Sequence, residues 1–374
     1  MFSEKAKKHA DACRFCYMCR HLCPIQLVTG KENNTPRAKG LLVSMMSRGM
    51  QMDKGFAATM YECLLCGACT ADCVTGFDPL IFIREARTQA VLEDMTPAFA
   101  QKVIDKLEET GNAYGAKETK VNFSGIPAEG QTLVWLGSTA RYAVTDVAEA
   151  LFTILKKAEV PFAALKNEPA SGCELGDMIG HVEDVRQHAK IAANAIAKTG
   201  AKKVIVLDSH DAAFFLHECK DWGIELPEIM TATSFVNNLI KDGKLVPEKK
   251  VEIVSYHDAA RLARDLSELD AAREIITAMG AELHEMYLNE KDNTNPANKA
   301  CGSSVRATEC GSSLIGQMKP ELAVKLCEHR YTDLLRSNAR IMIAADPQAT
   351  EALRLSVPEG CEYRDLFVML AERL

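Results

Sequence analysis

Several features are scarce in this 374-residue sequence, and each scarcity excludes a class of protein. No apolar run approaches the roughly 18 residues that a membrane-spanning helix needs, so we expect no transmembrane segment. Lysine and arginine form no dense cluster and the formal net charge is −7, which argues against nucleic acid as a partner. With 47% hydrophobic and 25% charged residues, the composition is that of a globular protein, long enough for two or three domains.

The N-terminal residues 1–8 lack the apolar stretch of a secretory leader. We therefore expect a protein of the reducing cytoplasm, where cysteines stay free of disulfides. If the protein works at a membrane, we expect a partner to bring it there.

Cysteine is abundant, and eight of the fourteen cysteines lie between positions 13 and 73 in two copies of one spacing. Both copies read C-x2-C-x2-C-x3-C: the first is Cys13, Cys16, Cys19 and Cys23, and the second is Cys63, Cys66, Cys69 and Cys73. This is the spacing of two-cluster ferredoxins, in which the fourth cysteine of each run binds the other [4Fe-4S] cluster. We therefore predict two [4Fe-4S] clusters with crossed ligands. The predicted ligands are Cys13, Cys16, Cys19 and Cys73 for cluster 1, and Cys63, Cys66, Cys69 and Cys23 for cluster 2.

Zinc and disulfides are the competing interpretations of these cysteines. A structural zinc site usually takes two separated C-x2-C pairs, which leaves no role for a third cysteine two residues further on. Disulfides would need an oxidising compartment. Both alternatives are therefore disfavoured.

The pattern along the chain predicts an α+β multidomain fold. Residues 1–110 read as a helical, ferredoxin-like domain with two clusters, in which Thr35 and Asp78 cap helices that begin at the prolines after them. Residues 111–130 have the turn chemistry of a linker. Beyond it, short apolar runs typical of buried parallel strands alternate with amphipathic stretches, which predicts two similar α/β units at 131–248 and 249–374, an internal duplication.

The order of these features resembles the iron-sulfur subunits of the CCG-domain family. That family includes the D-type subunit of heterodisulfide reductase, the iron-sulfur subunits of glycolate oxidase and anaerobic glycerol-3-phosphate dehydrogenase, and lactate-utilisation proteins. The resemblance rests on the two cysteine runs, the Gly111-Asn112-Ala113-Tyr114-Gly115 linker and the paired α/β units, and it covers nearly the whole chain.

The α/β half departs from the family's cysteine motifs. The first unit has Gly137-Ser138, Ala170-Ser171-Gly172 and Ser209-His210-Asp211-Ala212 at the three motif positions, and the second has His257-Asp258-Ala259-Ala260, Glu309-Cys310-Gly311 and Asp346-Pro347-Gln348-Ala349. Of the thiolates that the family carries there, only Cys310 remains. We therefore expect no metal in this half, and we expect the other cysteines to be small buried residues. The pair His257-Asp258 follows a predicted strand and could serve acid/base chemistry, but a structural role is favoured.

The resemblance implies an electron-transfer subunit of an oxidoreductase complex. Electrons would pass through the two clusters between a flavoprotein dehydrogenase subunit carrying FAD and a quinone, another iron-sulfur protein or an electron-transfer flavoprotein. We predict no catalytic residues and no substrate site in the chain itself. Two alternatives stay open: a reductase, of the heterodisulfide type or another, with a substrate or metal site in the α/β half, and a scaffold protein whose clusters are structural.

Overall fold

The computed structural model describes residues 2–286 and 310–374. Its N-terminal part is helical, and two parallel sheets flanked by helices follow. A helical domain followed by an α/β region was the predicted fold, and the structure confirms it at this level. Among the described residues, no helix combines the length and the apolar character needed to cross a bilayer.

The helical part contains seven α-helices. They are α1 (Glu4–Asp11), α2 (Pro24–Thr29), α3 (Pro36–Ser47), α4 (Lys54–Tyr61), α5 (Ala68–Ala71), α6 (Pro79–Leu92) and α7 (Ala98–Thr110), with short 3-10 turns at Met18–His21 and Glu32–Asn34. The predicted caps of α3 and α6 are confirmed: the Thr35 side chain accepts from the Ala38 amide at 3.1 Å, and Asp78 Oδ1 accepts from the Leu80 amide at 3.0 Å. Each cap satisfies an amide that the first helical turn leaves without a partner, which stabilises the helix start.

Two four-stranded parallel sheets make up the rest, with the same strand order in each. The first sheet runs β2 (Ala163–Ala164), β1 (Thr132–Trp135), β3 (Lys203–Val206), β4 (Glu228–Thr231), and the second runs β6 (Glu282–Leu283), β5 (Ile253–Tyr256), β7 (Ile341–Ala344), β8 (Glu362–Asp365). The central strands bury nearly all their side chains, as their apolar sequences predict.

Helices cover these sheets. In the first unit they are α8 (Ser138–Tyr142), α9 (Thr145–Lys157), α10 (Cys173–Ile179), α11 (Glu183–Lys198), α12 (Ser209–Leu216), α13 (Glu218–Asp221) and α14 (Ala232–Lys241). In the second they are α15 (Ala271–Ala278), α16 (Ser313–Met318), α17 (Pro320–Arg336), α18 (Pro347–Leu353) and α19 (Leu366–Ala371), with a π-helical turn at Arg261–Asp265.

Strand β1 ends at Trp135, although the apolar run Leu133-Val134-Trp135-Leu136 continues for one more residue. The amides of Leu136 and Gly137 donate to the Glu168 carboxylate at 2.8 and 2.9 Å. These amides therefore leave the strand ladder and bind a side chain, and the ladder stops at Trp135.

The segment between the helical part and the first sheet, residues 111–131, contains no helix or strand. It is held in place by side chains, because the Tyr114 hydroxyl donates to Glu351 Oε2 at 2.6 Å and lies 3.3 Å from Thr139 Oγ1. Asn112 is buried and accepts from the Ala116 amide at 3.0 Å.

The helical part packs against helix α10 of the first α/β unit. Arg87 is 1% exposed, and its guanidinium donates to the Asp177 carbonyl at 2.5 Å. The Tyr61 hydroxyl donates to the Met178 carbonyl at 3.0 Å, and Arg84 pairs with the Asp177 carboxylate at 3.1 Å. This packing brings the second cysteine run next to the carboxyl ends of the sheet strands.

Candidate functional site

The eight predicted ligand cysteines line two neighbouring pockets. One pocket is lined by Cys13, Cys16, Cys19 and Cys73, the other by Cys63, Cys66, Cys69 and Cys23, and Cys69 lies on both. Each pocket thus combines three cysteines of one run with the fourth cysteine of the other. Cys73 thus lies with the first run and Cys23 with the second, as the crossed arrangement requires, and the assignment of ligands to each cluster stays a prediction.

The two runs follow the same backbone path. In the first run, Phe15 and Tyr17 have left-handed φ angles of 55° and 66°, and in the second run Leu65 and Gly67 have 52° and 73°. This conformation turns successive amides toward the sulfurs, and the amides of Phe15 and Leu65 lie 3.5 and 3.4 Å from Cys13 Sγ and Cys63 Sγ. Left-handed non-glycine residues are unfavourable by about 1–2 kcal/mol each, and such strained backbone concentrates at functional sites.

The cysteine side chains suit a cationic iron core. Burial raises the pKa of Cys19 and of Cys23 to about 11, and burial raises that of Cys69 well above its usual value. Neighbouring cysteines add to the effect, including Cys73 at Cys19 and Cys63 at Cys23. The thiolate is the metal-binding form of cysteine. Positive iron would therefore stabilise the thiolates, which burial and neighbouring cysteines disfavour.

The sulfurs surround these pockets rather than converging on one point. Within residues 2–286 and 310–374, no group of three or more His, Cys, Asp or Glu side chains is placed to hold a single metal ion. A [4Fe-4S] cube takes one thiolate at each of four iron atoms, which fits four sulfurs arranged around a pocket.

Three buried or half-buried cations surround the second pocket. Lys39 is 1% exposed and donates to the Asn34 carbonyl at 2.9 Å. Arg87 donates to the Cys63 carbonyl at 2.6 Å, and Arg264, from the π-helical turn of the second α/β unit, donates to the Cys66 carbonyl at 2.5 Å. Positive charge beside an iron-sulfur cluster favours the reduced state of the cluster.

Sequence reasoning missed both arginines. Arg87 could have been suspected, since it lies on the apolar face of α6 a helical turn after Ile83. No local signal points to Arg264, because it reaches Cys66 from 198 residues along the chain.

A polar cavity adjoins the second pocket. It is lined by Cys63 and Cys66 on one side and by Ser209, His210, Arg261, Asp346 and Gln348 on the other. Ser209 Oγ donates to Asp346 Oδ2 at 2.5 Å, so the ends of β3 and β7 from the two sheets meet here. His210 Nε2 lies 3.2 Å from Asp177 Oδ2, and Arg261 pairs with the same oxygen at 2.9 Å.

The three motif positions of the first α/β unit come together in a further cavity. Ser138, Ser171, Asp208 and Asp211 line it, together with Cys173, whose sulfur lies 3.0 Å from Asp211 Oδ1. The three predicted motif positions therefore lie close together, although most of their side chains bear oxygen rather than sulfur.

The pair His257-Asp258 is held by arginines. Arg330 Nε donates to His257 Nδ1 at 3.0 Å, and Arg273 donates to both Asp258 oxygens at 2.8 and 2.7 Å. His257 and Asp258 are both buried, and burial lowers the pKa of His257 well below its usual value. These contacts agree with the structural role predicted for the pair.

The remaining cysteines are mostly buried, as predicted. Cys173, Cys219, Cys310 and Cys327 are buried and Cys361 is half-buried. Cys301 and Glu309 lie outside the described residues.

Comparison with known proteins supports this description. Residues 9–77 match the sequence model of a family described as "4Fe-4S dicluster domain". The D-type subunit of the dihydromethanophenazine:CoB–CoM heterodisulfide reductase is 27% identical in Methanosarcina barkeri and 28% in Methanosarcina acetivorans, over 97% of this chain and 94% of each protein. An EtfAB:quinone oxidoreductase of Syntrophomonas wolfei is 23% identical over 67% of this chain and 38% of its own length. The predicted resemblance to the CCG-domain iron-sulfur subunits is thus confirmed: the chain carries a ferredoxin-type 4Fe-4S domain and is similar over nearly its whole length to the D-type subunit of heterodisulfide reductase.

Proposed function

We propose that this protein is the iron-sulfur electron-transfer subunit of an oxidoreductase complex. Cys13, Cys16, Cys19 and Cys73 would hold one [4Fe-4S] cluster, and Cys63, Cys66, Cys69 and Cys23 the other. Such clusters, when bound, exchange one electron at a time with a redox partner. The observation on which this proposal rests is that each of two adjoining pockets is lined by three cysteines of one run and the fourth cysteine of the other.

We propose a flavoprotein dehydrogenase subunit carrying FAD on one side of this path and a quinone or another redox carrier on the other. The names of the relatives support this, since they are a subunit of a heterodisulfide reductase and an EtfAB:quinone oxidoreductase. The protein would work in the cytoplasm and reach a membrane through such a partner.

The chain itself supplies the cluster environment. The amides of Phe15 and Leu65 face sulfurs, and the guanidinium groups of Arg87 and Arg264 fix the carbonyls of the second run. Tight packing around the second pocket excludes water from Cys69, which is 9% exposed.

We also retain the division into a helical domain (1–110), a linker (111–130) and two related α/β units (131–248 and 249–374). The identical strand order of the two sheets supports an internal duplication. In this proposal the α/β half is the body on which the cluster domain rests.

Anaerobic purification followed by iron and sulfide analysis tests the proposal. Two clusters require about eight iron atoms per chain, and a redox titration followed by electron paramagnetic resonance should show two interacting one-electron centres. Centres that dithionite does not reduce would rule out electron transfer and leave a structural role.

A reductase with its own substrate site is the second candidate. The cavity beside Cys63 and Cys66 favours it, because His210 and Asp346 there could exchange protons next to an electron donor. Iron clearly above eight atoms per chain, or turnover of a small substrate by the purified chain with dithionite, would support this candidate.

A further inference from the structure

The two cysteine runs share a backbone path but differ in what covers them. In the second run, Leu65 is 1% exposed, and a Cβ placed on Gly67 would lie 3.8 Å from Arg264 Nε of the α/β half. In the first run, the equivalent residues are Phe15 and Tyr17, which are 50% and 47% exposed. The surface that the α/β half covers at the second run is therefore exposed to solvent at the first run.

The open face is apolar. Met18 is 45% exposed and Val74 is 90% exposed, and both line the first pocket together with Tyr17. The Arg37 guanidinium lies 4.6 Å from the ring centre of Tyr17 and 5.7 Å from that of Phe15, so it holds both rings in place. Aromatic side chains held rigidly beside an arginine are typical of the centres of protein interfaces.

Positive charge borders this face on a protein whose net charge is −7. Arg14, Arg20 and Arg37 lie here with two acidic side chains, Glu32 and Asp72; Arg20 and Arg37 share Glu32, at 3.7 and 2.5 Å, so a net positive charge remains. Arg14 binds the Asp11 and Cys13 carbonyls at 3.0 and 3.4 Å, and forms no ion pair with the described residues. A partner with an acidic rim around an apolar centre would complement this surface.

We propose that this surface, formed by Arg14, Phe15, Tyr17, Met18 and Val74 around the exposed Cys16, is the docking face for a flavin-carrying protein with an acidic rim. The inference rests on the proposed electron-transfer function and specifies where the partner binds. In the transfer, the reduced flavin loses one electron and the centre held at Cys13, Cys16, Cys19 and Cys73 gains it, and no covalent bond forms or breaks.

Stopped-flow reduction of the anaerobically purified full chain tests this, with flavodoxin hydroquinone as the acidic flavin probe and dithionite as the small-molecule donor. The variant combines Arg14→Glu with Tyr17→Gly, since glycine keeps the left-handed backbone of position 17. The matched control combines Lys244→Glu with Val246→Gly, at exposed positions of the α/β half. Visible absorption confirms that both retain their clusters.

We expect the second-order rate constant for reduction by flavodoxin hydroquinone to fall at least tenfold in the docking-face variant. In the control it should stay within twofold of wild type. Reduction by dithionite should be unchanged in both. The wild-type rate with flavodoxin should also fall as salt is added, because opposite charges steer the encounter.

Two outcomes of the stopped-flow experiment would overturn the proposal: equal rates of reduction by flavodoxin in the variant and in wild type, or a wild-type chain that dithionite reduces but flavodoxin does not. A third is that the variant loses binding to anionic phospholipid vesicles while its rate of reduction by flavodoxin does not change. The last would assign the face to a membrane surface. A wild-type chain that neither donor reduces would instead refute the electron-transfer function itself.

Discussion

Arg264 Nε donates a hydrogen bond of 2.5 Å to the carbonyl of Cys66, so a guanidinium of the second α/β unit lies against the second cysteine run. Arg261 in the same π-helical turn pairs with Asp177 of the first unit at 2.9 Å. One turn of five residues therefore touches the helical part and both α/β units. Irregular π-helical turns of this kind are frequent at functional sites.

The first prediction concerns the charge of Arg264. Replacing it with glutamine should lower the midpoint potential of the second centre, because a positive charge that stabilises the reduced state is lost. Two unit charges about 8 Å apart in an effective dielectric of about 20 interact by on the order of 2 kcal/mol, which corresponds to ~90 mV for a one-electron couple. Arg264 is half-buried, so solvent screening makes this an upper value.

Two variants make the potential measurement specific. Arg264→Lys retains the charge and should keep most of the wild-type potential, whereas Arg336→Gln removes a charge that is 68% exposed in the α/β half and should change neither centre. A redox titration in which Arg264→Gln and Arg336→Gln behave alike would show that Arg264 does not tune the site.

The second prediction tests the crossed ligands. Because Cys73 lines the pocket of the first run, Cys73→Ser should perturb the same paramagnetic signal as Cys16→Ser. Cys23→Ser should match Cys66→Ser instead, since Cys23 lines the second pocket. If each fourth cysteine affected the signal of its own run, the crossed assignment would be wrong.

Much of this molecule could be predicted from local sequence signals. The cysteine runs, the caps at Thr35 and Asp78 and the strand-like apolar runs each depend on residues that are close in sequence. Helix α17 begins at Pro320, a residue suited to the first helical position, and ends at Arg336. Capping and periodicity are properties of the chain itself, so tertiary packing did not overrule them.

The surroundings of the site could not be predicted in the same way. Ser209 and Asp346 are 137 residues apart, and the hydrogen bond between them exists only because the two sheets meet at their strand ends. The same holds for Arg264 and Cys66. Spacing carries no information on such contacts, which depend on how complete units pack together.

The third prediction concerns Asp177, a buried carboxylate where the helical part meets both α/β units. It pairs with Arg84 at 3.1 Å, with Arg261 at 2.9 Å and with His210 at 3.2 Å. Asp177→Asn would leave the half-buried Arg84 without its carboxylate partner and would leave Arg261 with Asp265 alone, at 2.8 Å. Loss of one partner of a buried ion pair is destabilising by about 3–5 kcal/mol, so we expect a clear drop in the denaturation midpoint.

The pH dependence of the same residue has a definite sign. Burial favours the neutral acid, but His210, Arg261 and Arg84 outweigh burial and hold the pKa of Asp177 well below its usual value. A carboxylate with a depressed folded-state pKa stabilises the protein above its unfolded-state pKa and loses that contribution as pH falls. Asp177→Asn should therefore be closer to wild type in acid than at neutral pH, whereas exposed Asp184→Asn should match wild type throughout.

The fourth prediction concerns His181, whose ring packs edge-on against the rings of Phe214 and Trp222. Burial, reinforced by Arg84, lowers the pKa of His181 to about 4 from its ordinary 6.5. Between pH 6.5 and 4 the unfolded chain therefore binds a proton at His181 that the folded chain does not bind. The stability that depends on neutral His181 is present above pH 6.5 and is lost as pH falls from 6.5 toward 4. Over that window His181 should account for at most on the order of 3 kcal/mol of lost stability. Solvent screening reduces this value, because the imidazole side chain is 26% exposed.

His181→Phe removes the titrating group and keeps an aromatic ring against Phe214 and Trp222, so its unfolding free energy should fall less steeply than that of wild type between pH 6.5 and 4. His284→Gln is the matched control with the opposite sign. In wild type, a hydrogen bond to Glu282 raises the pKa of His284 above its ordinary 6.5, so that contribution is fully present below pH 6.5 and is lost only as pH rises above it. Between pH 6.5 and 4 the curve of His284→Gln should therefore run parallel to that of wild type. Denaturant titrations of the three proteins across this range decide the point: parallel curves for wild type and His181→Phe would mean that another group governs the acid response.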